Sequence, residues 1–313
     1  MPDNEPLNIE KLPVIRNLVG LSKRIKIPGT NGLSLYHLLE IYGTGIIKGT
    51  FSSRASSIAY SFFIAIFPFL LFILNLIPYL DFIDGFLTRF LIFIEDLLPP
   101  QTADLFYPVI ADIAVNPRGG LLSFSILLAL FLSANGVNSI FSAFEYSFHV
   151  TINRNFFRQY FVAVGVAILL ALLLLTTVGV ILYGEFLISE LVGKAYIQDH
   201  VYIISILQLV IFVLMVYTII SILYYFGTKQ GKESRFFSLG AFVTTILFLL
   251  TTYLFGIYIN NFSNYNELYG SLGALLIMMF YIWINSNLLL LGFELNVSLQ
   301  LLKDKNKKNN TNT

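Results

Sequence analysis

The chain has no cysteine, only three histidines and a single tryptophan. Without cysteine there can be no disulfide, thiolate metal site or cysteine nucleophile. Charge is also scarce: 12% of residues are Asp, Glu, Lys or Arg, about half the roughly 25% of a soluble domain. Apolar residues make up 57% of the sequence, so lipid is the expected solvent for most of the surface. The net charge is +1 and no basic stripe with aromatic platforms is visible, so no nucleic-acid partner is expected. The first thirty or so residues are polar and lack an apolar signal core, so the first membrane helix is expected to act as its own insertion signal.

The long apolar stretches set the architecture. A bilayer core ~30 Å thick needs about 20 apolar residues per helix. Six segments qualify: Ser57–Tyr79, Gly120–Phe141, Tyr160–Leu182, Val201–Phe226, Phe237–Ile259 and Ser271–Val297. The fold class is therefore all-α, a polytopic membrane protein with six transmembrane helices and amphipathic interfacial helices. Residues 1–33 form an N-terminal segment, 34–302 the transmembrane domain and 303–313 a polar tail expected to be disordered. Residues 34–53 are read as a helix lying in one interface. The connector 81–119 repeats Phe82, Phe86, Phe90 and Phe93, then Leu105, Val109 and Ile113, around Pro99–Pro100. That spacing predicts two short helices resting on the opposite leaflet. No internal repeat emerges, which weakens analogy to inverted-repeat transporters.

Positive charge orients this bundle. All 19 Lys and Arg lie outside the apolar segments, and alternate connectors are rich and poor in them. Only Arg89, Arg118 and Lys194 fall on one side. The positive-inside rule then predicts both termini in the cytoplasm.

Glu294 is the only charged residue inside any of the six segments. An intramembrane acid is costly, so it is expected to face the protein interior and to have a partner. Arg54 precedes the first segment at matching depth, which predicts an Arg54–Glu294 pair joining the first helix to the last. At ~100° per residue, Asn287, Glu294 and Ser298 share one face of the last helix, while Tyr281, Asn285, Gly292 and Asn296 share the opposite one. A helix polar on opposite faces belongs inside a bundle. Asn135, Asn138, Ser139 and Ser142 end the second segment, and Ser56, Ser57 and Ser61 begin the first. The candidate binding set is Ser57, Ser61, Asn135, Asn138, Asn285, Asn287 and Glu294, converging near the inner leaflet. Two readings remain open: a hydrated cavity, or dry interhelical bonding worth about 0.6 kcal/mol per contact.

The first segment adds two features. Gly45, Gly49, Ser53, Ser57, Ser61 and Ala65 recur every four residues, a small-residue series read as helix packing. Pro68 frees the carbonyl of Ile64 and is read as a kink and candidate hinge.

Catalytic readings fail for want of parts. His37, His149 and His200 cannot meet across the predicted topology, and no paired-His helix motif occurs. There is no nucleophile elbow and no phosphate-binding glycine loop after a strand. Asp81, Asp84, Glu95 and Asp96 are read as a solvated face. The expectation is a protein that is not an enzyme and takes no metal or cofactor.

Three stretches carry a family resemblance. RASSIAYSFFIAIFPFLLF (54–72), ANGVNSIFSAFEYSF with NRNFFRQYFVA (134–163) and YGSLGALLIMMFYIWINSNLLLLGFELN (269–296) resemble the YihY/BrkB family over roughly residues 40–300. The connector GTKQGKESRF (227–236) departs from it, since family members often carry a proline-containing segment there. The resemblance implies a six-helix protein of the bacterial inner membrane, in a family with members linked to lipid or lipopolysaccharide export. An old ribonuclease label attached to the family finds no support in these residues. The combined expectation is transport or flipping of an amphipathic molecule, a lipid or envelope precursor, with a non-transporting envelope scaffold as the alternative.

Overall fold

A computed structural model describes Tyr36 and residues 50–76, 119–146, 155–193, 200–228, 235–262 and 272–311. These form six long helices: α1 Thr50–Leu76, α2 Gly119–Glu145, α3 Phe156–Gly193, α4 His200–Gly227, α5 Leu239–Phe262 and α6 Leu272–Thr311. Five of them contain stretches long and apolar enough to cross a membrane: Ser123–Glu145, Phe157–Ile181, Ile204–Gly227, Leu239–Tyr258 and Leu275–Gln300. The remaining expected span, 57–79, coincides with α1 as far as Leu76. A helix satisfies its backbone donors and acceptors internally, which lipid demands.

Each helix packs on its neighbour in sequence, and α6 closes the ring by packing on both α5 and α1. Helix α2 also reaches across to α4 and α6. Buried side chains concentrate at the end where α1, α3 and α5 begin and α2, α4 and α6 finish. Phe51, Phe141, Phe144, Tyr224, Leu290 and Phe293 are almost wholly enclosed there. Toward lipid the helices show large apolar groups such as Phe161, Leu172, Leu209 and Leu254.

Two helices outrun their apolar segments. Helix α3 continues past Leu182 to Gly193, and α6 runs through the polar tail to Thr311. Of the tail expected to be disordered, residues 303–311 continue α6. A helix already nucleated in the membrane adds residues without repeating the nucleation cost. Pro68 lies buried inside α1, which continues through it. The 1–33 segment, the 81–118 connector with Asp81, Asp84, Glu95 and Asp96, and residues 34–49 apart from Tyr36 lie outside the described residues. Thr50 to Ser53 open α1.

Candidate functional site

The packed end is organised around Arg54. From α1 its Nη1 donates to the Ala143 carbonyl at 3.0 Å. Ala143 lies in the last turn of α2, where the final four carbonyls lack intrahelical partners. The Tyr146 amide donates to the Ser142 carbonyl at 3.2 Å, and Arg54 serves the next one. A cation at a helix C-terminus also suits its dipole. The same Nη1 lies 3.9 Å from Glu294 Oε1 on α6, and the two side chains are 10% and 1% exposed. The guanidinium also sits 4.8 Å from the centre of the Phe51 ring. Arg54 precedes the apolar part of α1. Burial draws its pKa below the ordinary value, and the Glu294 charge pulls it back up.

Beside this pair is an aromatic block. Phe144 of α2 stacks on Phe293 of α6 at 4.0 Å, and Tyr224 of α4 meets both rings edge-on at 5.7 and 5.8 Å. The Tyr224 hydroxyl lies 2.7 Å from the Leu289 carbonyl and 2.8 Å from Thr244 Oγ1, which lies 2.8 Å from the Gly240 carbonyl. Two hydroxyl protons serve these three contacts, so one of them is held without its own hydrogen.

Facing α5, α6 makes a close crossing. A Cβ added at Gly292 would fall onto Thr244 Oγ1 and come within 2.5 Å of the Tyr224 hydroxyl. One added at Gly240 would strike the Gly292 carbonyl. One turn on, Asn296 Oδ1 accepts from the Gly240 amide at 2.8 Å, and its Nδ2 donates to Ser238 Oγ at 2.7 Å. Ser238 precedes α5 and accepts from the Ala241 amide at 3.2 Å. The open donors at the start of α5 are therefore capped by its own serine and by an asparagine of α6.

The predicted site residues divide into three groups. Glu294 meets Arg54, and Ser61 Oγ lies 2.7 Å from Ser139 Oγ, joining α1 to α2. Asn285, Ser286 and Asn287 are buried in α6 and donate to the carbonyls of Tyr281, Ile282 and Trp283 at 2.8–2.9 Å. Ser57 is exposed on α1, and its carbonyl accepts from Ser61 at 3.0 Å.

Asn135 and Asn138 fall elsewhere. With Ser142 and Glu145 they form one stripe of α2 at helical spacing, half-buried. Gln159 of α3, 5% exposed, comes to this stripe, on the other side of α2 from Phe144. Its amide lies 3.0 Å from Ser142 Oγ and 3.0 Å from Glu145 Oε2. Turned with its NH2 toward the carboxylate, it donates to Glu145 and accepts from Ser142, and an amide atom of Asn138 lies 3.1 Å away. Asn138 is thus drawn to α3 rather than to Glu294. The sequence reading missed Gln159, Glu145, Tyr224 and Thr244. Ser238, directly before an apolar run, was a legible cap signal.

No solved structure matches the chain. The chain is similar to the ribonuclease-like protein YfkH of Bacillus subtilis (strain 168), 28% identical over 254 residues that cover 80% of this chain and 90% of that one. It is also similar to a UPF0761 membrane protein of Coxiella burnetii (strain RSA 493 / Nine Mile phase I), 23% identical over 242 residues covering 76% and 84%. The sequence model of a family described as Virulence factor BrkB matches residues 45–313. With most of its length matched and several membrane-length helices, the chain belongs to the Virulence factor BrkB family and is a multi-pass membrane protein.

Proposed function

We propose that this protein moves an amphipathic molecule, a lipid or envelope precursor, across the bacterial inner membrane, with both termini in the cytoplasm and without enzymatic chemistry. The observation that carries this reading is the Glu294 carboxylate, 1% exposed and 3.9 Å from the Arg54 guanidinium. In this reading the ion pair is a charged station at the inner leaflet, where an anionic or zwitterionic headgroup exchanges for one partner. Asn287, on the same face of α6, lies on the route toward the other leaflet.

The test is lipid movement in proteoliposomes, followed with fluorescent phospholipids. Glu294→Gln is expected to lose at least nine-tenths of wild-type movement while eluting as the same monodisperse species. Wild-type movement in that variant would remove Glu294 from the mechanism.

A second reading, a non-transporting envelope scaffold, is favoured by one observation. Arg54 also holds the end of α2 through Ala143, which makes the pair a three-helix clamp. In that case no lipid moves faster than in protein-free vesicles, and Glu294→Gln loses only stability.

A further inference from the structure

On the face of α6 turned away from Glu294, polar contacts join α6 to α5 at intervals. Asn296 meets Gly240 and Ser238, Gly292 lies against Thr244, and the Tyr281 hydroxyl lies 2.7 Å from Thr252 Oγ1. Asn285 shares this face, within about 40° of Tyr281, Gly292 and Asn296. It is the exception in the series. Its Nδ2 donates to the Tyr281 carbonyl at 2.9 Å, which leaves Oδ1 to look elsewhere for a donor. That oxygen has no hydrogen-bond partner among the described residues, although the residue is only 8% exposed.

Register gives the reason. Between Thr244 and Thr252, the α5 positions turned to this face are Phe248, which has no side-chain donor, and Thr251, and neither donates to Asn285 Oδ1. A buried amide oxygen left this way destabilises the protein until something donates to it.

The surroundings indicate what that donor belongs to. The Thr252–Tyr281 hydroxyl pair lies at the exposed edge of the seam, beside Tyr253 and Phe280, which are 68% and 51% exposed. In a span, an edge flanked by exposed aromatic rings opens to lipid. Residue 285 also lies within the span Leu275–Gln300, ~15 Å from its start at about 1.5 Å per residue. That is close to the bilayer midplane, where a headgroup in transit has lost its water.

We propose that Asn285 Oδ1 is the acceptor of a midway station for a phospholipid headgroup bearing a hydrogen-bond donor, with the Thr252 and Tyr281 hydroxyls at its entrance. The inference rests on the reading that a lipid-like molecule crosses this protein, and it adds the headgroup chemistry. Ethanolamine and glycerol headgroups carry N–H or O–H donors. A choline headgroup carries none and is not held here.

The experiment compares full-length wild type, Asn285→Leu and Glu294→Gln in nanodiscs of phosphatidylcholine alone, or with phosphatidylethanolamine or phosphatidylglycerol added. The readout is thermal unfolding. Wild type is expected to melt about 3 °C higher with a donor-bearing lipid, the shift that one satisfied hydrogen bond gives a chain of this size. Stabilisation by only one of the two donor lipids identifies the donor as ammonium or hydroxyl. Asn285→Leu is expected to melt alike in all three lipids, and in phosphatidylcholine no lower than wild type. Asn285→Ala carries the comparison if the leucine variant does not insert.

Wild type melting alike in every lipid, the result expected if water serves Oδ1, overturns the proposal. So does a headgroup dependence that survives Asn285→Leu. Headgroup dependence lost in Asn285→Leu, alongside full lipid movement in Glu294→Gln, leaves this station standing and removes only the role of Glu294.

Discussion

Gly292→Leu is expected to leave little or no monodisperse protein after extraction, whereas Gly165→Leu and Gly256→Leu yield as much as wild type. All three changes add the same side chain to a membrane helix. The difference is what the new atoms meet. At Gly165 and Gly256 a Cβ has no heavy atom within 4 Å, and the leucine enters lipid. At Gly292 it falls on Thr244 Oγ1, with the Tyr224 hydroxyl at 2.5 Å and the Gly240 carbonyl at 3.0 Å.

None of these obstacles yields easily. Thr244 and Tyr224 are buried and bound to backbone carbonyls, and the third atom is backbone. Relief requires α5 and α6 to separate, which would pull Asn296 away from the Gly240 amide and Ser238. Overpacking alone costs about 1–3 kcal/mol and at times more, and each buried donor left open adds about 1–3 kcal/mol. Together these rival the roughly 5–15 kcal/mol of a folded domain. Gly292→Ala is expected to fall between, and Thr244→Ala in the same chain should recover part of the loss by removing the overlapping hydroxyl. Fluorescence-detected size exclusion at rising temperature reads all five variants. Equal melting of Gly292→Leu and Gly256→Leu would show that the crossing is not as close as its geometry.

The contrast between α6 and α2 shows what was legible in the sequence. Apolar length alone located the helices, because lipid imposes one secondary structure on any long apolar run. The two polar faces of α6 were legible from the 100° rotation per residue. Glu294 does look toward Arg54 while Gly292 and Asn296 look toward α5. Helix α2 was read by depth, which placed Asn135 and Asn138 with Glu294. Depth carries no azimuth: Phe144 faces α6, so the Asn138 stripe faces away from it, toward Gln159. Azimuth becomes readable only when a second helix is known to lie alongside. The dual use of Arg54 was hidden for a related reason. Its partner on α2 is a backbone carbonyl, which any residue at position 143 would supply.

That dual use makes Arg54→Met the second large expected effect, a loss of about 3–5 kcal/mol of stability. The change removes the cation 3.9 Å from a carboxylate that is 1% exposed, and a buried charge stripped of its partner typically costs that much. It also takes the donor from the Ala143 carbonyl at the end of α2. Glu294→Leu added to Arg54→Met is expected to recover most of the loss, because apolar pairs of similar volume often replace buried ion pairs at no cost. A charge swap is the poorer control. A carboxylate at position 54 cannot donate to Ala143 and would face a carbonyl oxygen, so the swapped protein should stay destabilised even with opposite charges restored. Arg54→Lys separates the two contributions: it keeps the charge and loses the planar fork, so it should retain more stability than Arg54→Met. Chemical unfolding in one detergent ranks the set, with the double variant expected above Arg54→Met and below wild type by no more than the roughly 1 kcal/mol of one hydrogen bond. A double variant as unstable as Arg54→Met would assign the loss to the end of α2 rather than to the carboxylate, and Glu294 would then be tolerated in the bundle without Arg54.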